Sequence, residues 1–265
     1  MLISALLGIL VGAILGLTGA GGGILAVPAL VVGMGWPMQQ AAPVALIAVA
    51  GGAALGAAEG FRKKLVRYKA ALLMAVAGIP VTGFGIRTAH MLSQRVLLAL
   101  FACVMLIVAT RLILQARHAA SGLEAGRLGR INPATGRFEW TWITAVLLAA
   151  IGALTGFMTG LLGVGGGFVI VPLLRRFTDV SMHGIVATSL LVIALVGIGG
   201  VATSMLHGTD VPVAVTVYFS LATAAGMMLG RLASSRLSAR HVQQGFALVL
   251  VVVATGLLGK AFYAG

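Results

Sequence analysis

Two glycine clusters carry the chemistry this chain offers. The first is Gly19, Gly21, Gly22 and Gly23; the second is Gly163, Gly165, Gly166 and Gly167. Each sits inside a long apolar run, and a proline follows five residues after each triplet, Pro28 and Pro172. In a helix interior glycine is unfavourable by about 1 kcal/mol and proline by about 3 kcal/mol. A helix should therefore break at each cluster. A helix that restarts after a break presents amide groups with a partial positive charge, and such groups bind anions directly. Glycine also lets the backbone approach a ligand closely and adopt φ > 0. The chemistry expected is anion binding by backbone N–H groups, from half-helices starting near Gly23 and Gly167. No lysine follows either cluster and neither completes G-x-G-x-x-G, so nucleotide-phosphate loops are excluded.

The two clusters are copies of each other. Residues 8–30 and 152–174 align without a gap at an offset of 144, and 12 of the 23 positions are identical. Duplicated membrane units with interrupted helices are a common way to build a binding site near the bilayer midplane. Gly8, Gly12 and Gly16, and their mates Gly152, Gly156 and Gly160, recur every four residues. That spacing serves close helix contact rather than ligand binding.

The chain has 265 residues, 60% hydrophobic and 9% charged, with a mean hydropathy of +1.12. A soluble domain carries about 25% charged residues. Apolar segments run at 2–35, 41–60, 70–86, 96–114, 141–174, 184–206, 211–230 and 242–263, four in each half. This is a multi-pass membrane protein, expected in the cell inner membrane, and its first span reads as part of the mature fold rather than a leader. The net charge of +13 comes from basic residues in short loops, where they set orientation. Nucleic acid is not expected as a partner; the bilayer is. Cys103, the only cysteine, reads as a small packing residue. No cofactor and no metal centre are expected, and no paired carboxylates suggest an enzyme.

Segments 2–35 and 141–174 are too long for one crossing: 34 residues make about 51 Å of helix against a core of about 30 Å. Each is either a long kinked helix or a hairpin that enters and returns on one side. If every segment crosses once, Lys and Arg divide 11 to 7 between the two faces; if both are hairpins, they divide 15 to 3. Cytoplasmic loops collect Lys and Arg, so the hairpin reading is preferred. The expected fold is all-α. It has two homologous inverted repeats, each a Gly-rich re-entrant helical hairpin plus three transmembrane helices. Residues 1–114 form the first repeat, 115–139 a cytoplasmic linker and 140–265 the second, with both termini outside.

The doubled Gly-x-Gly-Gly-Gly-x4-Pro unit, with Ala187-Thr188-Ser189-Leu190 in the second half, resembles the TauE/SafE sulfite exporter family over essentially the whole chain. The resemblance implies transport of sulfite or a small organosulfonate across the cytoplasmic membrane. It departs in the first half, where Val44 and Ala45 stand at the positions of Thr188 and Ser189. Thr18, Thr188 and Ser189 join the eight cluster glycines as candidate substrate ligands. The plainer reading of such hydroxyls is a bond to their own helix. Thr159 is placed with them, just before the second cluster.

Glu59, Arg87 and Arg231 are candidates for coupling or gating, since carboxylates at membrane depth often carry protons. Beside Arg62-Lys63-Lys64, Glu59 reads more simply as an interfacial ion pair, and Arg87 and Arg231 as interfacial anchors. Arg175 and Arg176 are placed to attract anions from the cytoplasm, and His207 and Asp210 in a solvated outer turn. The reading that follows is a secondary transporter, an exporter, of a small anion, working by alternating access around the glycine breaks. The alternatives are a passive anion channel and a non-transporting scaffold for a sulfur-metabolism enzyme. Homodimerisation is left open.

Overall fold

The computed structural model describes residues 2–19, 21–117, 140–206, 211–234 and 238–263. The expected linker 115–139 lies outside them except for 115–117, as do His207 and Asp210. The described residues fold into ten α-helices: α1 (Leu2–Thr18), α2 (Ala26–Gly33), α3 (Met38–Arg62), α4 (Tyr68–Met91), α5 (Gln94–Arg117), α6 (Trp142–Leu162), α7 (Gly167–Phe177), α8 (Met182–Leu206), α9 (Val213–Ser234) and α10 (Ala239–Tyr263). A 3-10 turn over Gly22–Leu25 leads into α2. Seven of these helices, α3 to α6 and α8 to α10, are long and apolar enough to cross a membrane. The hairpin reading counts three such helices per half. The seventh is α6, the leading arm of the second Gly-rich segment, which runs 21 residues where its mate α1 runs 17.

The glycine stripes do what their spacing predicts. A β-carbon on Gly8 would stand 2.7 Å from the Phe219 carbonyl oxygen, and Gly12 and Gly16 meet the carbonyls of Thr223 and Met227. Helix α1 thus lies parallel to α9 with backbone against backbone. Gly152, Gly156 and Gly160 meet the carbonyls of Met74, Gly78 and Thr82, so α6 lies parallel to α4 in the same way. Each stripe from one half of the sequence is filled by a helix of the other half. A polar counter-surface is not needed, because small residues let dispersion contacts form over the full length.

Between these two pairs run α3 and α8, the most buried of the long helices. They are antiparallel: Gly197 packs on Ala50, Gly56 faces Leu190, and Gly60 faces Ala187. Helices α5 and α10 pack together at the side. Cys103 is exposed on α5 rather than packed, and Trp140 and Trp142 are exposed at the start of α6.

Candidate functional site

Both glycine clusters break their helices. Helix α1 ends at Thr18, and Gly19 takes φ +78°, a left-handed conformation that only glycine adopts cheaply. The chain then turns back on itself, for Gly33 at the end of α2 packs against Leu7 near the start of α1. The second break is sharper. Gly163 (φ +71°) donates its N–H to the Thr159 carbonyl at 2.8 Å, closing α6. Gly165 (φ +75°) and Gly166 (φ +65°) are also left-handed, and α7 starts directly at Gly167. Among the described residues of the first break only Gly19 has positive φ, and the restart passes through the 3-10 turn before α2.

The breaks meet at mid-length of α3 and α8. A β-carbon on Gly23 would stand 2.9 Å from Val49 Cγ1 and 3.3 Å from the Val164 carbonyl oxygen. One on Gly165 would stand 2.9 Å from Ile193 Cγ2 and 3.3 Å from Val49 Cγ1. Val49 and Ile193 are themselves repeat mates, each near the middle of its helix.

Beside this meeting point opens a cavity of about 670 Å³. Thr18, Gly21, Gly167 and Phe168 line it at the breaks. Arg111, Arg175, Asp179 and Gln243 line it near the helix ends of α5, α7, α8 and α10. The N–H groups of Val169 and Ile170 bond the Gly166 carbonyl at 2.9 and 3.2 Å. Those of Gly167 and Phe168 come ahead of these first helical bonds, where α7 borders the cavity. The wall therefore combines the positive end of an eleven-residue helix with two guanidinium groups and one carboxylate.

The predicted site residues divide. Thr18, Gly21 and Gly167 border the cavity. The other glycines permit close packing: Gly19 against Val186, Gly22 against the backbone of Leu15, Gly163 against Ala42, and Gly166 against Thr155. The Thr18 hydroxyl donates to the Ile14 carbonyl at 2.7 Å, and that of Thr159 to Thr155 at 2.8 Å, the local bonds that threonine makes in helices. Thr188 and Ser189 do not border the cavity. The Thr188 hydroxyl accepts the Arg67 backbone N–H at 3.0 Å and so ties the start of α4 to α8. Ser189 donates to the Val186 carbonyl at 2.9 Å. Glu59 joins α3 to α9, bonding Lys63 at 2.6 Å and pairing with Arg231. Arg87 is exposed, and the repeat mate of Glu59 is Thr203, so this pair has no carboxylate counterpart in the other half.

Several wall residues escaped the sequence reading. Arg111 was legible only as a loop charge, because nothing in the sequence says that the end of α5 faces α7. Phe246 and Gln243 come from the far end of the chain. Away from the cavity wall, Thr155 is fully buried beneath Gly166, and its hydroxyl has no hydrogen-bond partner. Its repeat mate is Val11, so a comparison of the two halves was the available signal.

The repeat mates of the lining residues are not equally covered. The repeat mates of Phe168, Val171, Arg175, Met182, Ile185, Val242 and Phe246 are Ile24, Val27, Val31, Met38, Ala41, Leu98 and Ala102, all buried, whereas those of Val108, Arg111 and Asp179 are Val252, Thr255 and Gly35, all exposed. Lys260, near the end of α10, donates from its ammonium to the Val31 carbonyl near the end of α2 at 2.6 Å. A cation bonded to the last carbonyls of a helix is favoured there by the helix dipole.

A family model described as "Sulfite exporter TauE/SafE" matches residues 4–257. A "probable membrane transporter protein" of Xylella fastidiosa (strain 9a5c) is 29% identical over 259 residues, 96% of this chain and 93% of that protein. The "probable membrane transporter protein" YjnA of Bacillus subtilis (strain 168) is 25% identical over 263 residues, 95% of this chain and 96% of its own length. YunE of the same organism, named in the same way, is 23% identical over 276 residues, 98% of each chain. No solved structure gives a significant match.

Proposed function

The chain belongs to the sulfite exporter TauE/SafE family, a family of membrane transporters rather than enzymes, and on that premise we propose that it is a secondary transporter exporting a small anion, sulfite or an organosulfonate. The observation that carries this reading is the cavity that reaches both glycine breaks from one face and is lined by Arg111 and Arg175. Amides at the start of α7 and the turn at Gly21 offer the anion a site where the helix dipole is favourable. Thr18, Gly19, Gly21 to Gly23, Gly163 and Gly165 to Gly167 build that site, some by facing the anion and most by allowing the two breaks to touch. Thr188 and Ser189 act at one remove, by holding α4 and α8. No nucleotide motif is present in the sequence, so the energy comes from a gradient.

The two halves, 1–114 and 140–265 around the 115–139 linker, act as inverted repeats. Supporting this are the antiparallel pairing of the mates α3 and α8 and the exchange by which α1 lies on α9 while α6 lies on α4. Two-fold-related helices that run antiparallel place the axis across them, in the membrane plane. The Gly-rich segments act as re-entrant hairpins. Arg111 and Arg175 line one cavity, and Arg231 pairs near Lys63. A chain that crossed at every segment would put the members of each set on opposite faces. The positive-inside preference then makes the open face cytoplasmic and puts both termini outside. The open cavity, set against the buried mates of its Phe168, Val171, Ile185 and Phe246 walls, suits the inward-facing state of an alternating-access cycle.

The experiment is a melting panel on purified protein with sulfite, sulfate, thiosulfate, sulfoacetate, taurine and small carboxylates, followed by flux in proteoliposomes. A ligand at 100 times its Kd adds about 2.7 kcal/mol to the folded state. At least one sulfur anion should raise Tm and show saturable flux; a flat panel overturns the reading. Flux that does not saturate would support the channel alternative instead. Cysteine labelling at Arg176 should report the cytoplasmic side, and labelling from outside overturns the topology.

A further inference from the structure

The walls of the cavity bear on the body of the cargo as well as on its charge. Along α7 the cavity runs from Gly167 to Arg175, eight residues or about 12 Å. Between these ends the surface is apolar: Phe168 and Val171 from α7, Leu112 from α5, Ile185 from α8 and Phe246 from α10. The two threonines in the wall have turned their hydroxyl protons inward, Thr18 to Ile14 and Thr178 to Leu174 at 2.6 Å. Cavities of about 300–1,000 Å³ with apolar walls and a few polar groups are the usual sites for organic molecules. An oxyanion of a few atoms would touch little of this surface, and lining a charge with apolar groups is unfavourable. At the rim, Arg111 and Arg175 outnumber Asp179, so the charge recruited is negative.

We infer that the cavity takes an organic anion with an apolar body, an alkyl or aryl sulfonate or the matching carboxylate, in preference to a bare inorganic oxyanion. The inference rests on the transport reading above and sharpens it. The arginines at the rim draw the charged group in, and the break amides receive it at the inner end. The body lies against Phe168, Val171, Leu112, Ile185 and Phe246. Affinity should then follow the apolar area of the body, by about 25 cal/mol per Å², or close to fourfold for each buried methylene.

The test is competition binding on the full chain in nanodiscs, with methane-, butane-, benzene- and naphthalenesulfonate set against sulfite. Affinity should climb severalfold at each step of the series, and Val171→Ala, which strips apolar area from the wall, should flatten the climb and weaken the aryl sulfonates severalfold more than sulfite. If sulfite binds as tightly as the aryl sulfonates, the proposal falls and the transport reading stands. If no anion binds, sulfite included, both fall. The series is run at two contents of phosphatidylglycerol. Displacement of the aryl sulfonate by the lipid would assign the cavity to a membrane lipid and overturn the proposal.

Discussion

Gly156→Ala tests the packing that positions the second break. A β-carbon at Gly156 would lie 2.7 Å from the Gly78 Cα and closer still to its carbonyl oxygen. Ordinary contact starts at 3.4 Å, so α4 and α6 must separate by at least about 0.7 Å. The obstacle is backbone on both sides, and no side chain can rotate away. A gap of 0.5–1 Å forfeits about a quarter to a half of each dispersion contact. The loss would run along the whole interface, because the glycines at 152, 156 and 160 share it. Overpacking in cores is unfavourable by about 1–3 kcal/mol and occasionally more; with backbone against backbone we expect the upper end, about 3 kcal/mol. For a chain of this size that is a fall in Tm of about 6–12 °C. The control is Gly256→Ala on α10, where nothing lies within 4 Å of the added carbon and helix propensity favours alanine. Melting in one detergent, followed by anion flux, measures both. A Gly156→Ala protein that melts within about 2 °C of the Gly256→Ala protein would refute the reasoning.

Three further outcomes follow from named contacts. Lys260→Met removes the bond to the Val31 carbonyl; a cysteine placed at buried Ala41 should then react several times faster with an impermeant maleimide added outside. Unchanged labelling would show that Lys260 does not hold that side shut. Thr155→Val replaces a buried hydroxyl that has no partner, and should stabilise the protein by about 1 kcal/mol in a melting assay; a comparable loss would show that the hydroxyl is bonded. A double-mutant cycle on Glu59 and Arg231, two partly exposed groups, should give a coupling of about 0.5–1 kcal/mol, with partial recovery in the charge-swapped protein. A coupling of zero would remove the pair as a tie between α3 and α9.

What could be read in advance depended on range along the chain. Gly8, Gly12 and Gly16 declared a close-packed face by spacing alone, and the breaks at Gly19 and Gly163 followed from local backbone preference. Neither kind of signal names a partner. That α1 would lie on α9, 200 residues away, is decided by which stripes match in height: α9 declares its own with Gly226 and Gly230, which meet the Ile9 and Ala13 carbonyls, but spacing does not say which stripe meets which. The cavity was illegible for the same reason: Arg111, Arg175 and Gln243 come from three separate helix ends. Thr188 shows the other limit of local reading. Its neighbourhood matched a family motif, yet its hydroxyl serves the Arg67 amide, and only tertiary placement reveals that.

The interchange of the glycine-lined faces has a consequence for biogenesis. When α1 emerges from the ribosome, the helix that will cover it, α9, is still unwritten for nearly 200 residues. The α4–α6 pair is complete once Leu162 has been made, so it can dock first. Until synthesis nears its finish, α1 must wait in lipid with its glycines uncovered, held by the insertion machinery or by a temporary neighbour. Assembly therefore closes late, at a seam joining the first helix to the ninth, and a chain truncated before Val213 would leave that seam open.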